Sequence, residues 1–132
     1  MHITLESDYA IRIVSCLCAE KKRLDAKTIA EKTEVTLRFS LKILRKLVGG
    51  GIIRSFKGVQ GGYELVKKPS EISINDVIEI VEGTYHFSRC LCEEYSCDSK
   101  EKCQCAYRDV FAEVSEMVQK KLKSHTFDTL IR

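Results

Sequence analysis

The sequence has no long apolar run, no internal repeat and only one proline. No segment is long or apolar enough for a signal peptide or a membrane-spanning helix, so we expect a cytoplasmic protein with no membrane partner. The single proline, Pro69, is expected to mark the exit from a strand. A chain of 132 residues, of which 44% are hydrophobic, has the length for one modest core rather than two.

Histidine is also scarce, and the three histidines, His2, His86 and His125, are scattered along the chain. No nucleophile lies beside a general base in a recognisable motif, and no phosphate-binding motif is present. The sequence therefore disfavours an enzyme.

Cysteine is abundant and clustered. Five of the seven cysteines share one short polar segment: Cys90, Cys92, Cys97, Cys103 and Cys105. The residues between them are mostly charged or polar and cannot form a core, so packing does not explain these thiols. Clustered thiolates in a polar loop are typical ligands of a soft metal or an iron–sulfur cluster. A disulfide framework is the competing interpretation, but it is typical of secreted chains, and an odd cysteine count does not pair completely.

Positive charge is concentrated in one block, although the net charge is only +3. Between Arg38 and Lys68 the basic residues are opposed only by Glu64, whereas the next stretch, from Pro69 to Gly83, is acidic without a positive charge. A basic block in a near-neutral protein indicates a nucleic-acid-binding face. A solvated helix face, the alternative, usually mixes both signs.

Apolar spacing predicts a first helix from about Ser7 to Glu20, with Ser7 as its N-cap. Cys16 and Cys18 lie at the margins of its apolar stripe, so we interpret them as packing residues rather than ligands. Asp25 is expected to cap a short second helix that continues through Lys32.

Thr36 is expected to cap a third helix that ends at the glycines following Val48. Its predicted apolar face consists of Leu37, Leu41, Leu44 and Leu47 or Val48, and its opposite face of Arg38, Lys42, Arg45 and Lys46. Two short helices joined by a tight turn, the second apolar on one side and basic on the other, indicate a helix-turn-helix.

Two short strands are predicted next, at 52–56 and 63–66, around the glycine-rich segment 57–62. A hairpin directly after a helix-turn-helix is typical of the wing of a winged helix. Its glycines are expected to let the backbone approach a phosphate or a groove wall, with Lys57 supplying positive charge. Ser73 then begins a further helix, which Gly83 stops.

The longest predicted helix, from about Ala106 to Lys123, carries apolar residues from Val110 to Leu122. So much apolar surface beyond a winged-helix core needs cover, and we expect a second copy of the chain to supply it in a homodimer. The predicted fold is mainly α with a small β-hairpin. It divides into a winged helix-turn-helix DNA-binding domain (1–83), a cysteine-rich loop (84–105), and a long dimerisation helix with the C-terminal segment (106–132).

The order and spacing of several segments resemble those of the Rrf2 family of bacterial winged-helix regulators, over nearly the whole chain. The segments that carry the resemblance are Ser7–Ala10, Ile29–Lys32, Leu44–Leu47, Gly51–Ile53, Lys57–Leu65, Ile74–Ile78 and Thr126–Leu130. The resemblance implies a transcriptional regulator, expected to be a repressor, that binds a double-stranded DNA operator as a homodimer.

The resemblance also implies an iron–sulfur cluster held by three cysteines of the loop. Cys97 and Cys103 match the second and third ligands, and either Cys90 or Cys92 supplies the first. The fourth ligand is Asp8 of the partner subunit, as in NsrR-like members, or else Cys105. The cluster is of the 2Fe–2S or the 4Fe–4S type. It would sense iron–sulfur status, redox state or nitric oxide.

The same resemblance places the DNA contacts at the start of the third helix and in the wing. The expected contact residues are Thr36, Arg38, Ser40, Lys42, Arg45, Lys57 and Gln60. Two other functions stay open: a winged-helix regulator with structural zinc in the loop, and a metal-free repressor, as in CymR-like members, controlled by thiol oxidation or a partner protein.

Overall fold

The computed structural model describes residues 2–98 and 105–131. The elements are helices α1 (Leu5–Glu20), α2 (Ala26–Thr33), α3 (Leu37–Gly49), α4 (Ile74–Glu82), α5 (Ala106–Lys123) and α6 (Phe127–Leu130), and strands β1 (Ile53–Phe56) and β2 (Gly62–Leu65). The predicted mainly α fold with one small hairpin is confirmed. Within the described part of the chain, no helix is long and apolar enough to cross a membrane.

Helix α1 begins before the residue that we predicted as its cap. Thr4, not Ser7, is the N-cap, and its hydroxyl accepts a hydrogen bond from the Ser7 N–H at 3.1 Å. Ser7 is fully buried in the first turn, where its hydroxyl donates to Glu82 of α4. The Ser7 side chain therefore makes a tertiary contact with α4, and the capping position is taken by Thr4.

The other predicted caps are correct. Asp25, Thr36 and Ser73 accept hydrogen bonds from the first turns of α2, α3 and α4. At Ser73 the capping is reciprocal, since the Asp76 carboxylate accepts from the Ser73 N–H at 2.8 Å. Short polar side chains thus determine where these three helices start.

Helices α1 to α4 bury a single apolar core between them. Its members include Ala10, Ile13, Val14, Leu17, Ile29, Ile43, Leu44, Leu47, Ile53, Val77 and Phe127. Helix α2, the turn through Glu34 and helix α3 form the predicted helix-turn-helix, and the turn is tight because Glu34 adopts a left-handed conformation (φ 56°). The core fixes α3 by one side only and leaves its other side to solvent.

The hairpin is antiparallel and pairs Ile53 with Leu65 and Phe56 with Gly62. It is joined to the helical body by two backbone hydrogen bonds between Leu24 and Tyr63, of 3.0 and 2.7 Å. The Arg23 guanidinium also stacks over the Phe56 ring at 3.3 Å from the centroid. The wing is thereby fixed relative to α3, and the predicted winged helix-turn-helix is confirmed.

Helix α5 packs against α4 and the segment that connects them. The Phe87 N–H donates to Ser115 at 2.7 Å, and Gln119 donates to the Tyr85 carbonyl at 2.8 Å. The Phe87 and Phe111 rings lie 5.5 Å apart. These contacts hold the beginning of the cysteine-rich segment on the side of α5.

Candidate nucleic-acid interface and cysteine cavity

The exposed side of α3, which we call the recognition face, consists of Leu37, Arg38, Leu41, Lys42 and Arg45. These residues line an open groove of about 550 Å³. All five side chains are exposed to solvent, as is the N-cap Thr36. Three cations on one exposed helix face suit contacts with phosphates and base edges.

Two sequence predictions about this helix are wrong. Ser40 is fully buried, so its side chain cannot reach DNA, while Leu37 and Leu41, predicted to be buried, are 46% and 41% exposed. The buried stripe consists of Ser40, Ile43, Leu44 and Leu47. The predicted stripe and the observed buried stripe both have helical spacing. The observed one is hard to recognise from the sequence because it contains the polar residue Ser40.

Glu6 of α1 contacts the basic side of α3, which the sequence did not reveal. Its carboxylate lies 2.8 Å from the Lys46 Nζ and 3.4 Å from the Lys42 Nζ. The hydrogen bond from Lys46, together with the charge of both lysines, holds the pKa of Glu6 below its usual value in spite of partial desolvation. Lys46 also donates to the Val81 carbonyl at 3.1 Å, so Lys46 stabilises the fold. No local signal identifies such a pair, since its members are distant in sequence.

The wing presents Lys57 and Gln60 to solvent, as expected of contact residues. Two of the wing glycines also have a role within the domain that the sequence did not predict. A Cβ on Gly62 would lie 2.6 Å from the Leu24 carbonyl oxygen, and one on Gly61 would lie 2.5 Å from the Phe56 carbonyl oxygen. Both are therefore required by close backbone packing within the domain. Only Gly58, with φ 94° and open space around it, fits the predicted role at the tip.

Four of the predicted metal ligands surround one cavity of about 480 Å³, which we call the cysteine cavity. Cys90, Cys92, Cys97 and Cys105 line it, with polar neighbours that include Glu93, Ser96, Arg108 and Asp109. Cys92 is exposed and the other three thiols are partly buried, and none of the six described cysteines forms a disulfide. The donor set suits a thiolate-ligated metal or cluster.

The cavity joins two elements that the sequence separates. Cys90 lies in a 3₁₀ turn (Arg89–Leu91), and its carbonyl oxygen accepts from Arg108 of α5 at 3.4 Å. Cys105 is the N-cap residue of α5, where the helix dipole favours negative charge. The Ser88 hydroxyl lies 3.2 Å from the Cys90 Sγ and contacts that thiol directly.

The ligand set is not assembled within the described part of the chain. Among residues 2–98 and 105–131, no three Cys, His, Asp or Glu side chains are close enough together to bind a metal ion. Cys103, predicted as a ligand, lies outside the described residues. Asp8 does not line the cavity; its carboxylate pairs with Arg12 at 2.9 Å on the surface of α1. If Asp8 is a ligand, it serves the cavity of a second copy of the chain.

A comparison with models of protein families identifies the family to which the chain belongs. Residues 3–132 match the model of the Rrf2 family, described as an iron-dependent transcriptional regulator. The chain belongs to the Rrf2 family. It is a DNA-binding transcriptional regulator and not an enzyme, as the sequence predicted.

Individual proteins agree with this assignment. An HTH-type transcriptional regulator of Aquifex aeolicus is 28% identical over 93% of the chain and 86% of its own length. The regulator NsrR of Shouchella clausii is 28% identical over 71% of the chain and 64% of its own length.

Two solved structures share the fold. The IscR structure from T. potens has a TM-score of 0.77 at 20% identity and covers 98% of this chain and 85% of its own. CymR of B. subtilis has a TM-score of 0.78 at 22% identity, with coverages of 98% and 95%.

The two remaining cysteines of this Rrf2 protein pack in the core (Cys18) or against it (Cys16), and neither lines the cavity. Cys18 is 2% exposed, and burial raises the pKa of its thiol to about 11. Burial and the nearby Glu20 carboxylate likewise raise the pKa of Cys16. A raised pKa disfavours the thiolate form that binds metals, which agrees with the packing role predicted for both.

Helix α5 of this Rrf2 protein carries an exposed apolar stripe. Val110 and Met117 are 54% and 64% exposed, and Tyr107 and Val118 lie on the same side. Phe111 and Leu122, by contrast, are partly buried on the side of α5 that carries the buried Ser115, whereas the partly buried Val114 lies on the same side as the exposed stripe. The apolar residues of α5 therefore divide into an inner set of Phe111 and Leu122 and an outer set.

Proposed function

We propose that this Rrf2 regulator is a homodimeric repressor that binds an operator through α3 and the wing and senses its signal through an iron–sulfur cluster in the cysteine cavity. The observation that carries the proposal is the convergence of Cys90, Cys92, Cys97 and Cys105 on one polar cavity. Residues 1–83 bind DNA, 84–105 hold the cluster and 106–132 dimerise. When bound, such a cluster supplies an iron centre that reacts with oxygen or nitric oxide.

The proposed ligands are Cys90, Cys97 and Cys103, with a fourth from Cys105 or from Asp8 of the partner subunit. Cys90 is preferred to Cys92 because it is partly buried and its backbone is held by Arg108, whereas Cys92 is exposed. Cys105 lines the same cavity. Asp8 requires the dimer and must exchange its 2.9 Å pair with Arg12 for the metal.

Three consecutive residues in the first turn of α1 support a coupling between this ligand position and DNA binding. Glu6 pairs with Lys42 and Lys46 of α3, Ser7 donates to Glu82 of α4, and Asp8 is the candidate ligand. If Asp8 held the metal, a displacement of Asp8 would also move Glu6, because both belong to one helical turn. A displaced Glu6 would change the position of Lys42 on the recognition face and so bias the protein between two affinities for DNA.

Structural zinc is the second candidate. Four thiols line one cavity, which is the number of ligands that structural zinc takes, so zinc would need no residue from a partner once these thiols moved closer together. In that case the loop serves as a rigid support rather than a sensor. A metal-free thiol switch is the third candidate, since Cys92 is exposed and close in sequence to Cys90.

The test is purification of the full chain under anaerobic conditions, followed by visible spectroscopy and metal analysis. We expect a coloured protein that contains iron and sulfide, and we expect Cys97→Ala and Cys103→Ala to lose the colour. Cys16→Ala is the matched control and keeps it. A colourless protein with stoichiometric zinc supports the second candidate, and a colourless protein without metal supports the third.

The fourth ligand is identified by a pair of variants. If Asp8 of the partner subunit is the ligand, Asp8→Ala alters or destabilises the chromophore and Cys105→Ala leaves it unchanged. The reverse pattern places the whole site in one chain. Operator affinity measured with and without the cluster then tests the sensing role.

A further inference from the structure

The recognition face carries two leucines among its cations, although exposed positions on a DNA-binding helix are usually polar. Leu37 and Leu41 are 46% and 41% exposed, and both line the same open groove as Arg38, Lys42 and Arg45. Each exposes apolar surface to water in the free protein, which is unfavourable unless a partner covers it.

Helix geometry places the two leucines side by side. A residue turns by about 100° around an α-helix, so Leu41 lies about 40° from Leu37 and about 6 Å along the axis. Arg38, Lys42 and Arg45 follow within roughly the next 100° of the same side. Phe39 is also exposed, but it points to another side of the helix, and its ring packs against Tyr9 with centroids 5.9 Å apart.

The cations beside the leucines identify the occupant of the groove. A phosphate-rich partner complements three positive charges on one helix face. Within the major groove, the apolar group that a leucine can contact is the C5-methyl of thymine, which distinguishes thymine from cytosine and from uracil. A protein partner offers no comparable reason for so many cations around two leucines.

We propose that Leu37 and Leu41 read thymine through its methyl group and so determine part of the operator sequence. The inference rests on the proposed DNA-binding face and extends it from affinity to base choice. Base pairs stack about 3.4 Å apart along a strand, so side chains about 6 Å apart along the helix reach thymines within about three base pairs of each other. Each half-site should therefore contain two such thymines, beside the positions that Arg38 and Arg45 contact.

The test uses the full-length dimer and a duplex selected from a random library. Each thymine of the selected site is replaced singly by deoxyuridine, which lacks only the methyl group. We expect two positions in each half-site at which wild-type affinity falls roughly fourfold, the effect of losing one buried methyl-sized contact. Leu41→Ala should bind more weakly and lose its sensitivity to deoxyuridine at one of these positions, and Leu37→Ala at the other.

Arg38→Ala is the control, since it should weaken binding to the selected site while leaving the deoxyuridine effects unchanged. Thermal melting verifies that the variants fold, which is expected because both leucines lie on the surface. Wild-type protein that ignores every deoxyuridine overturns the inference, and so does undiminished sensitivity in both leucine variants. If Arg38→Ala also binds normally, the assignment of the DNA-binding face itself fails.

Discussion

At the scale of single residues, Ser40 and Leu41 are neighbours on α3 that differ in burial. Ser40 is buried in the core and Leu41 faces solvent. The Ser40 hydroxyl has no hydrogen-bond partner among the residues that the structure describes. A buried hydroxyl without a partner costs free energy, and its removal leaves only a small gap.

We therefore predict that Ser40→Ala leaves DNA affinity unchanged and does not lower the free energy of unfolding. Arg38→Ala, at an exposed position of the same helix, should weaken operator binding by about 1–3 kcal/mol if it makes a base contact. Electrophoretic mobility shifts and urea titrations measure the two quantities. A tenfold loss of affinity in Ser40→Ala would show that the phase of α3 is different from the one described here.

Helix caps and buried stripes differ in how well the sequence predicts them. Caps such as Asp25, Thr36 and Ser73 were predictable because a capping side chain acts within three residues of itself. On α3 the burial of Leu44 and the exposure of Arg38 were predicted, but Ser40 and Leu41 were misassigned, because two stripes of equal spacing compete and only tertiary packing chooses between them. The clustering of the cysteines was evident in the sequence, but Cys105 came to share a cavity with Cys90 through the packing of α5.

At the scale of elements, α1 and α4 are joined at their ends by one carboxylate. Glu82 accepts hydrogen bonds from the Thr4 N–H at 3.2 Å, from the Thr4 hydroxyl at 2.6 Å, and from the Ser7 hydroxyl. Desolvation raises the pKa of Glu82, but these hydrogen bonds outweigh it and hold the pKa below 4.5. The first turn of α1, which carries Glu6 and Asp8, is thus positioned by α4.

We predict that Glu82→Ala lowers the free energy of unfolding by roughly 1–2 kcal/mol at pH 7, the usual effect of losing hydrogen bonds to a partly exposed carboxylate. Since the folded pKa is depressed below the ordinary 4.5, this contribution is complete above that value and is lost as the pH falls through the folded pKa. Urea titrations from pH 7 to pH 3 measure the difference between wild type and variant. Glu79→Ala on the same helix is the control, and a difference that persists undiminished at pH 3 contradicts the assignment.

At the scale of the whole molecule, the outer stripe of α5 and the start of α1 both expose apolar surface that the proposed dimer would cover. Val110 and Met117 expose apolar surface on α5, and Ile3 and Leu5 do so at the start of α1. A two-fold dimer covers such surfaces in pairs. Ligation by Asp8 of the partner subunit also depends on this proposed dimer. A test of dimerisation therefore also tests the source of the fourth ligand.

We predict that Val110→Glu combined with Met117→Glu converts the dimer to a monomer, because both charges would be buried without partners at the interface. Glu116→Lys is the control, since this exposed position lies about 120° around the helix from Val110. Sedimentation velocity distinguishes the two states, and an unchanged dimer would assign the interface to another surface.

The same double variant also discriminates between the two candidate fourth ligands, because it changes no residue at the cysteine cavity. If Asp8 of the partner subunit binds the iron, the monomer loses or alters the visible chromophore, whereas ligation by Cys105 leaves a monomer with the wild-type spectrum.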